Sequence, residues 1–128
     1  MPTPTVSNFE RYQAAWRTGI DPVERERLLK TSVAEDCEYS DPSSQAHGHP
    51  ELLRKIEDSE RQFSGATFRN NEIIEQHKQA LILWTMLDGE GNEFASGASY
   101  VRFSEDGRLK QMSGFFGAPD KSFQPAHP

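Results

Sequence analysis

The sequence holds a single cysteine, Cys37. An internal disulfide is therefore excluded, and so is a cysteine-rich metal centre. Positive charge is the scarcer sign: 14 Lys and Arg stand against 20 Asp and Glu, for a net charge of −6. An acidic chain repels phosphate backbones and anionic lipid, which disfavours nucleic-acid and membrane-surface binding. Long apolar runs are missing too. The longest strictly apolar stretch is Ala80 to Trp84, far short of the ~20 residues a membrane helix needs. The opening MPTPTVSNFE has neither the basic nor the apolar segment of a signal peptide. No repeat or low-complexity block occurs. What is present suffices for one core: 128 residues, 34% apolar and 27% charged, a length that suits one domain. The expectation is a soluble, reduced, cytoplasmic single domain that binds neither nucleic acid nor membrane.

Residues 1–6, rich in Pro and Thr, are expected to be a flexible arm, and residues 119–128 a tail, with one domain over residues 7–118. Ser7 and Glu10 form a capping box that predicts a first helix, with Phe9, Tyr12 and Trp16 on one apolar stripe and Gly19 at its end. Asp21 caps a second helix with Pro22 at its first position, and Leu28, Leu29 and Val33 give its buried side. A third helix is predicted from Pro50, with Leu52, Leu53, Ile56 and Phe63 inward. From Ala66 the period changes to that of strands. Ala80–Leu87, a hairpin loop at Asp88–Asn92, a strand from Glu93 to Ser104, a turn at Asp106-Gly107 and a last strand from Arg108 to Phe116 follow. Gly97 and Gly114 inside these strands predict bulges or tight bends, hence a strongly curved sheet. Helices first and an antiparallel meander after them argue for an α+β fold. A curved sheet with helices on its concave side leaves room for a ligand.

Residues 37–41 read Cys-Glu-Tyr-Ser-Asp and precede Pro42. Alternation along a strand puts Cys37, Tyr39 and Asp41 on one face, and the burial preference of Cys and Tyr turns that face inward. Asp41 is then a carboxylate aimed at the interior. Apolar surroundings disfavour its charged form, so its pKa should rise and make it a better general base. The alternative is an Asp-Pro turn whose carboxylate is solvated or caps a nearby amide. Tyr12 has two readings as well, a hydrogen-bond donor or a core residue tied to backbone. His47-Gly48-His49 with Glu51 is one H-x-H in a loop, with no second histidine pair to complete a metal site. His77 reads as an exposed or structurally satisfied imidazole, with a role across from Asp41 as the alternative. Cys37 reads as a small buried residue flanked by Asp36 and Glu38, a poor setting for a reactive thiol. Glu24-Arg25-Glu26-Arg27 reads as a solvated helix face.

Several segments together carry a family likeness: Arg11-Tyr12-Gln13-Ala14-Ala15-Trp16, Glu38-Tyr39-Ser40-Asp41-Pro42, Gly48, Asp106-Gly107-Arg108-Leu109 and Gly114-Phe115-Phe116-Gly117. In order and spacing they resemble the nuclear transport factor 2-like superfamily, and within it the SnoaL-like and ketosteroid isomerase-like proteins, over about residues 7–118. The resemblance implies a cone-shaped, curved mixed sheet packed against three N-terminal helices, with a pocket in the open end, and frequent homodimers. It implies Asp41 as a general base and Tyr12 as the donor that stabilises an enolate oxygen, the ketosteroid isomerase arrangement that serves as a worked case of pKa tuning. The acid expected on a later strand falls on Ser99, a much weaker donor, so steroid isomerisation itself does not follow. Strand parity from Ser99 turns Gly97, Val101, Met112, Gly114 and Phe116 inward, near Trp84 and Met86. With Trp16, Tyr39 and Phe63 they would line an apolar, aromatic pocket. Arg102 turns outward, which leaves no central arginine for the Asp-Arg-Asp site of the superfamily's epoxide hydrolases.

Three functions fit. One is a cofactor-free, metal-free isomerase or cyclase that moves a proton on an apolar carbonyl compound, with Asp41, Tyr12 and Ser99 in the roles above. Another is a non-catalytic protein that binds a small apolar ligand in the same pocket. The third is a dimeric interaction module with a vestigial, filled pocket. A homodimer would form through the sheet face, where Tyr100 and Phe115 point outward.

Overall fold

A computed structural model describes residues 3–117. The expected tail, residues 119–128, lies outside the described residues. Helices α1 (Pro4–Ala14), α2 (Pro22–Ser32) and α3 (Gly48–Gln62) accompany six strands: β1 (Val33–Asp41), β2 (Ser44–His47), β3 (Thr67–Gln76), β4 (Gln79–Leu87), β5 (Glu93–Phe103) and β6 (Leu109–Phe116). The strands form one curved, unclosed sheet in the order β2-β1-β6-β5-β4-β3. Only β1 and β6 run parallel; every other neighbouring pair is antiparallel. The fold is the expected α+β arrangement.

The chain enters α1 earlier than the Ser7 capping box predicts. Thr3 is the N-cap, its hydroxyl accepting from the Val6 amide at 3.1 Å, and Pro4 opens the helix. A Thr-Pro pair supplies both a side-chain acceptor and a preset φ, so it nucleates the helix one turn upstream. The expected arm is therefore helical from Pro4. α1 also ends at Ala14 rather than at Gly19, and Trp16 sits just beyond it. α2 starts as expected, with Asp21 accepting from the Val23 amide and Pro22 at the first position. α3 begins at Gly48, where φ is +80° and a side chain would be strained, and Glu51 reaches back to the His47 amide at 2.8 Å.

Arg25 departs from the solvated face assigned to its segment. It is 3% exposed. Its guanidinium donates to the carbonyls of Ala15 and Arg17, at 2.8 and 2.9 Å, and to Glu60 at 3.0 Å. The carbonyls left open at the end of α1 thus gain a partner, and one side chain ties α1, α2 and α3 together. Its neighbours Glu24 and Arg27 pair on the surface as expected.

The core lies between the helices and the concave side of the sheet. Phe9, Leu29, Leu52 and Ile56 meet Cys37, Ile82, Val101, Leu109 and Met112, all buried. The register shifts of the sheet fall between Val33 and Glu38, Asn70 and Glu72, Met86 and Leu87, and Arg102 and Phe103. None falls at Gly97 or Gly114, so the bulges expected there are elsewhere. Gly97 serves a different end. A Cβ there would meet the Phe115 carbonyl oxygen at 2.2 Å and the Trp84 ring at 2.8 Å. Only glycine lets the Trp84 indole lie flat across β5.

Candidate functional site

The helices do not fill the concave face completely. A cavity of about 360 Å³ remains, within the usual range for small-molecule sites. Of the residues assigned to the pocket from sequence, Trp16, Tyr39, Phe63, Trp84, Met86, Val101, Met112, Gly114 and Phe116 line it, together with Asp41, Tyr12 and Ser99; Gly97 does not. The pocket is open, which counts against the filled interaction module.

Two aromatic runs build its walls. On the helix side, Phe9, Tyr12, Trp16 and Tyr39 follow one another at centroid distances of 6.0, 6.2 and 5.7 Å. On the sheet side, Phe68 and Phe116 each meet the Trp84 ring edge-on, at 5.4 and 5.6 Å. The Trp84 indole N–H donates to the Ser99 hydroxyl at 3.0 Å. Ser99 is thus engaged as an acceptor by the wall, and its own hydrogen is what it can offer a ligand.

One corner is polar, and Asp41 is its centre. Asp41 pairs with Ser44 across the turn joining β1 to β2. Its Oδ1 accepts from the Ser43 amide at 2.8 Å, the Ser43 hydroxyl at 2.8 Å and the Ser44 amide at 3.0 Å. Its Oδ2 accepts from the Tyr39 hydroxyl at 2.6 Å and faces the Lys55 ammonium at 3.0 Å. Oδ1 thus caps the turn, as the alternative reading of Asp-Pro has it, and Asp41 also lines the cavity. The phenol on Asp41 is Tyr39 from the same strand, not Tyr12 from α1.

This arrangement overturns the expected rise in basicity. Burial pushes the Asp41 carboxyl up, but the hydrogen bonds from Tyr39, Lys55 and Ser43 together outweigh it and hold the pKa at about 2. A carboxylate offers about four lone-pair positions, and the five donors named above already converge on this one. Asp41 is an ionised, fully partnered group. The two phenols respond in the opposite sense. Burial pushes Tyr12 above its ordinary range. Burial, then the neighbouring Tyr12 and Asp41, push Tyr39 up further. Both stay protonated donors at neutral pH.

Lys55 is the residue that the sequence reading missed. It sits on α3 and is 17% exposed in its side chain. Besides Asp41 it meets the Ser43 hydroxyl at 2.9 Å. Ser59 and Gln62 line the cavity from the same helix, and Phe63 from its C-cap. Their spacing of three to four residues was the available signal: Lys55, Ser59 and Gln62 form a polar stripe beside the apolar Leu52 and Ile56. Gln13, also in the lining, exchanges two hydrogen bonds of 2.8 Å with Asn70 of β3.

The remaining candidates lie elsewhere. His77 is exposed in the β3–β4 turn, with φ of 44°, and does not reach the cavity. His49 bonds the Val33 carbonyl through Nε2 at 2.8 Å, while His47 closes β2. Cys37 is buried, and burial raises its thiol pKa.

Comparison with known proteins agrees with this fold. A family model described as the SnoaL-like domain matches residues 9–112. No curated protein matches the chain. Among solved structures, a candidate isomerase of the SnoaL-like family from Agrobacterium tumefaciens str. C58 has a TM-score of 0.83 at 24% identity, covering 91% of this chain and 100% of that one. TerC, co-crystallised with polyporic acid, has a TM-score of 0.73 at 14% identity, covering 90% and 92%. A candidate ketosteroid isomerase from Kribbella flavida DSM 17836 has a TM-score of 0.68 at 15% identity, covering 98% and 84%. At these identities the likeness is one of fold.

The Asp41 network makes a pH prediction. Its folded pKa lies below the ordinary carboxyl value, so its stabilising contribution is complete above about pH 4. The contribution drains away as pH falls toward 2. Urea midpoints measured from pH 5 to pH 2 should drop less steeply in Asp41→Asn than in the parent. Parallel curves would contradict the assignment.

Proposed function

The chain belongs to the SnoaL-like family within the nuclear transport factor 2-like superfamily, and from that membership we propose that its cone pocket binds a small, flat, apolar molecule. One observation carries this reading: an open cavity with two aromatic walls and a single polar corner. Flat rings gain most from such walls, and the corner suits one oxygen function on the ligand. No cofactor enters this reading. A test uses naphthalene as the probe, titrated by NMR. Trp84→Ala removes the central ring of one wall and should weaken naphthalene binding at least tenfold, as expected for a lost aromatic pair plus its buried area, roughly 1.5–3 kcal/mol. Unchanged affinity would argue against this pocket.

The second reading is proton transfer, as in an isomerase or cyclase. It is favoured by Asp41 and Tyr12 both lining the cavity, with the Tyr39 phenol on Asp41 Oδ2. Asp41 acts as the base in this reading, with Tyr12 and Ser99 as donors to the ligand oxygen. It requires the ligand to take over one of the donors on Oδ2 and so release a lone pair. With 2-tetralone in D₂O, the parent should speed exchange of the hydrogens beside the carbonyl, and Asp41→Asn should lose that acceleration while still binding the ketone. Equal exchange rates in the two proteins would rule Asp41 out as the base.

We also assign a second copy of the chain to the outer face of the sheet. Ile74, Leu81 and Tyr100 lie in register across β3, β4 and β5, with Phe115 on β6 beside them. Ile74, Leu81 and Phe115 are 50%, 40% and 59% exposed, a contiguous apolar patch of the sort that marks interfaces. Light scattering should return the mass of two chains, and Phe115→Glu should shift it to one. A single-chain mass for the parent would contradict the assignment. Among the described residues no helix is long and apolar enough to cross a membrane.

A further inference from the structure

The polar corner of the cavity contains one donor that the protein leaves unused. The Lys55 ammonium has three N–H groups. Two are taken, by Asp41 Oδ2 at 3.0 Å and by the Ser43 hydroxyl at 2.9 Å. Among the described residues the third has no partner, and Lys55 is part of the cavity lining. The Lys55 side chain is only 17% exposed, and an acceptor brought by a ligand would complete its ammonium with a charge-assisted hydrogen bond.

The sign of the corner narrows the acceptor. Asp41 is ionised and Lys55 lies beside it, so the pair is close to neutral as a unit. A fully anionic ligand group would add an uncompensated negative charge next to the Asp41 carboxylate, which is costly in a low-dielectric site. A neutral carbonyl oxygen accepts one N–H and adds no charge. Asp41 has no free lone pair, so it serves here as a positioning residue that holds Lys55 toward the cavity.

We propose that Lys55 is the recognition residue of this pocket, its unused N–H donated to a neutral carbonyl oxygen on the flat, apolar ligand of the reading above. This rests on the cavity being a binding site, and the experiment separates the two. Tetralin and 2-tetralone share a skeleton and differ by one carbonyl. Binding of both is measured by NMR titration to the parent, to Lys55→Met, and to Lys55→Met combined with Asp41→Asn. The double variant leaves no carboxylate stranded and gives the same readout if the single variant does not fold.

The parent should bind 2-tetralone about 10–100-fold tighter, relative to tetralin, than either variant does, the range expected for one hydrogen bond to a charged donor. The ratio of 2-tetralone to tetralin affinity is the readout, because Lys55 and Asp41 both line the cavity and their replacement also changes its apolar surface. In the parent, the ¹⁵N resonance of the Lys55 ammonium should shift with 2-tetralone and stay in place with tetralin. If tetralin binds but the preference for the ketone survives in both variants, Lys55 is not the recognition residue and the cavity reading stands. If neither compound binds the parent, the cavity reading falls and this assignment falls with it.

Discussion

The ionised carboxylate of Asp41, held by five donors from β1, the β1–β2 turn and α3, is the constraint on which the site depends. It does three things at once. It fixes the turn that returns the chain as β2. It pins α3 to β1 through Lys55. And it gives an aromatic pocket its polar corner. Each contact is modest alone, but they share one group, so weakening any of them loosens the rest.

The cavity exists because the packing around it is held apart. Arg25 binds the end of α1 to α2 and α3 as one layer. The layer rests on the buried apolar residues of the sheet and spans the hollow instead of collapsing into it. On the opposite side Gly97 gives the Trp84 indole its place, and Ser99 takes the indole N–H. Position 99 is occupied by a serine where the resemblance implies an acid. Its hydroxyl accepts from the Trp84 indole and keeps one hydrogen to donate, so it joins Tyr12 and Lys55 as a donor facing the hollow.

Much of this was legible in the residues. Alternation along Cys37, Tyr39 and Asp41 turned that face inward correctly, and parity from Ser99 placed Val101, Met112 and Phe116 in the lining. Period-two arguments are sound here because a one-residue slip would expose a whole face. Two things were not legible, and a third was legible but passed over. The Asp41 pKa depends on Lys55, which is 14 positions away in sequence and joins only through the packing of α3 on β1; desolvation could be read locally, its compensation could not. Arg25 looked solvated because its neighbours are charged, yet the open carbonyls at the end of α1 claim it. The early start of α1 was visible in Thr3-Pro4 but lost to the more familiar Ser7–Glu10 pattern.

The most direct measurement is the ¹³C resonance of the Asp41 carboxyl carbon, followed from pH 7 down to the onset of acid unfolding. The account predicts a carboxylate that stays ionised across that range, with a midpoint of about 2. A midpoint above about 4, the ordinary carboxyl range or higher, would mean that the donors around Asp41 do not hold it as described and that the polar corner is built in some other way.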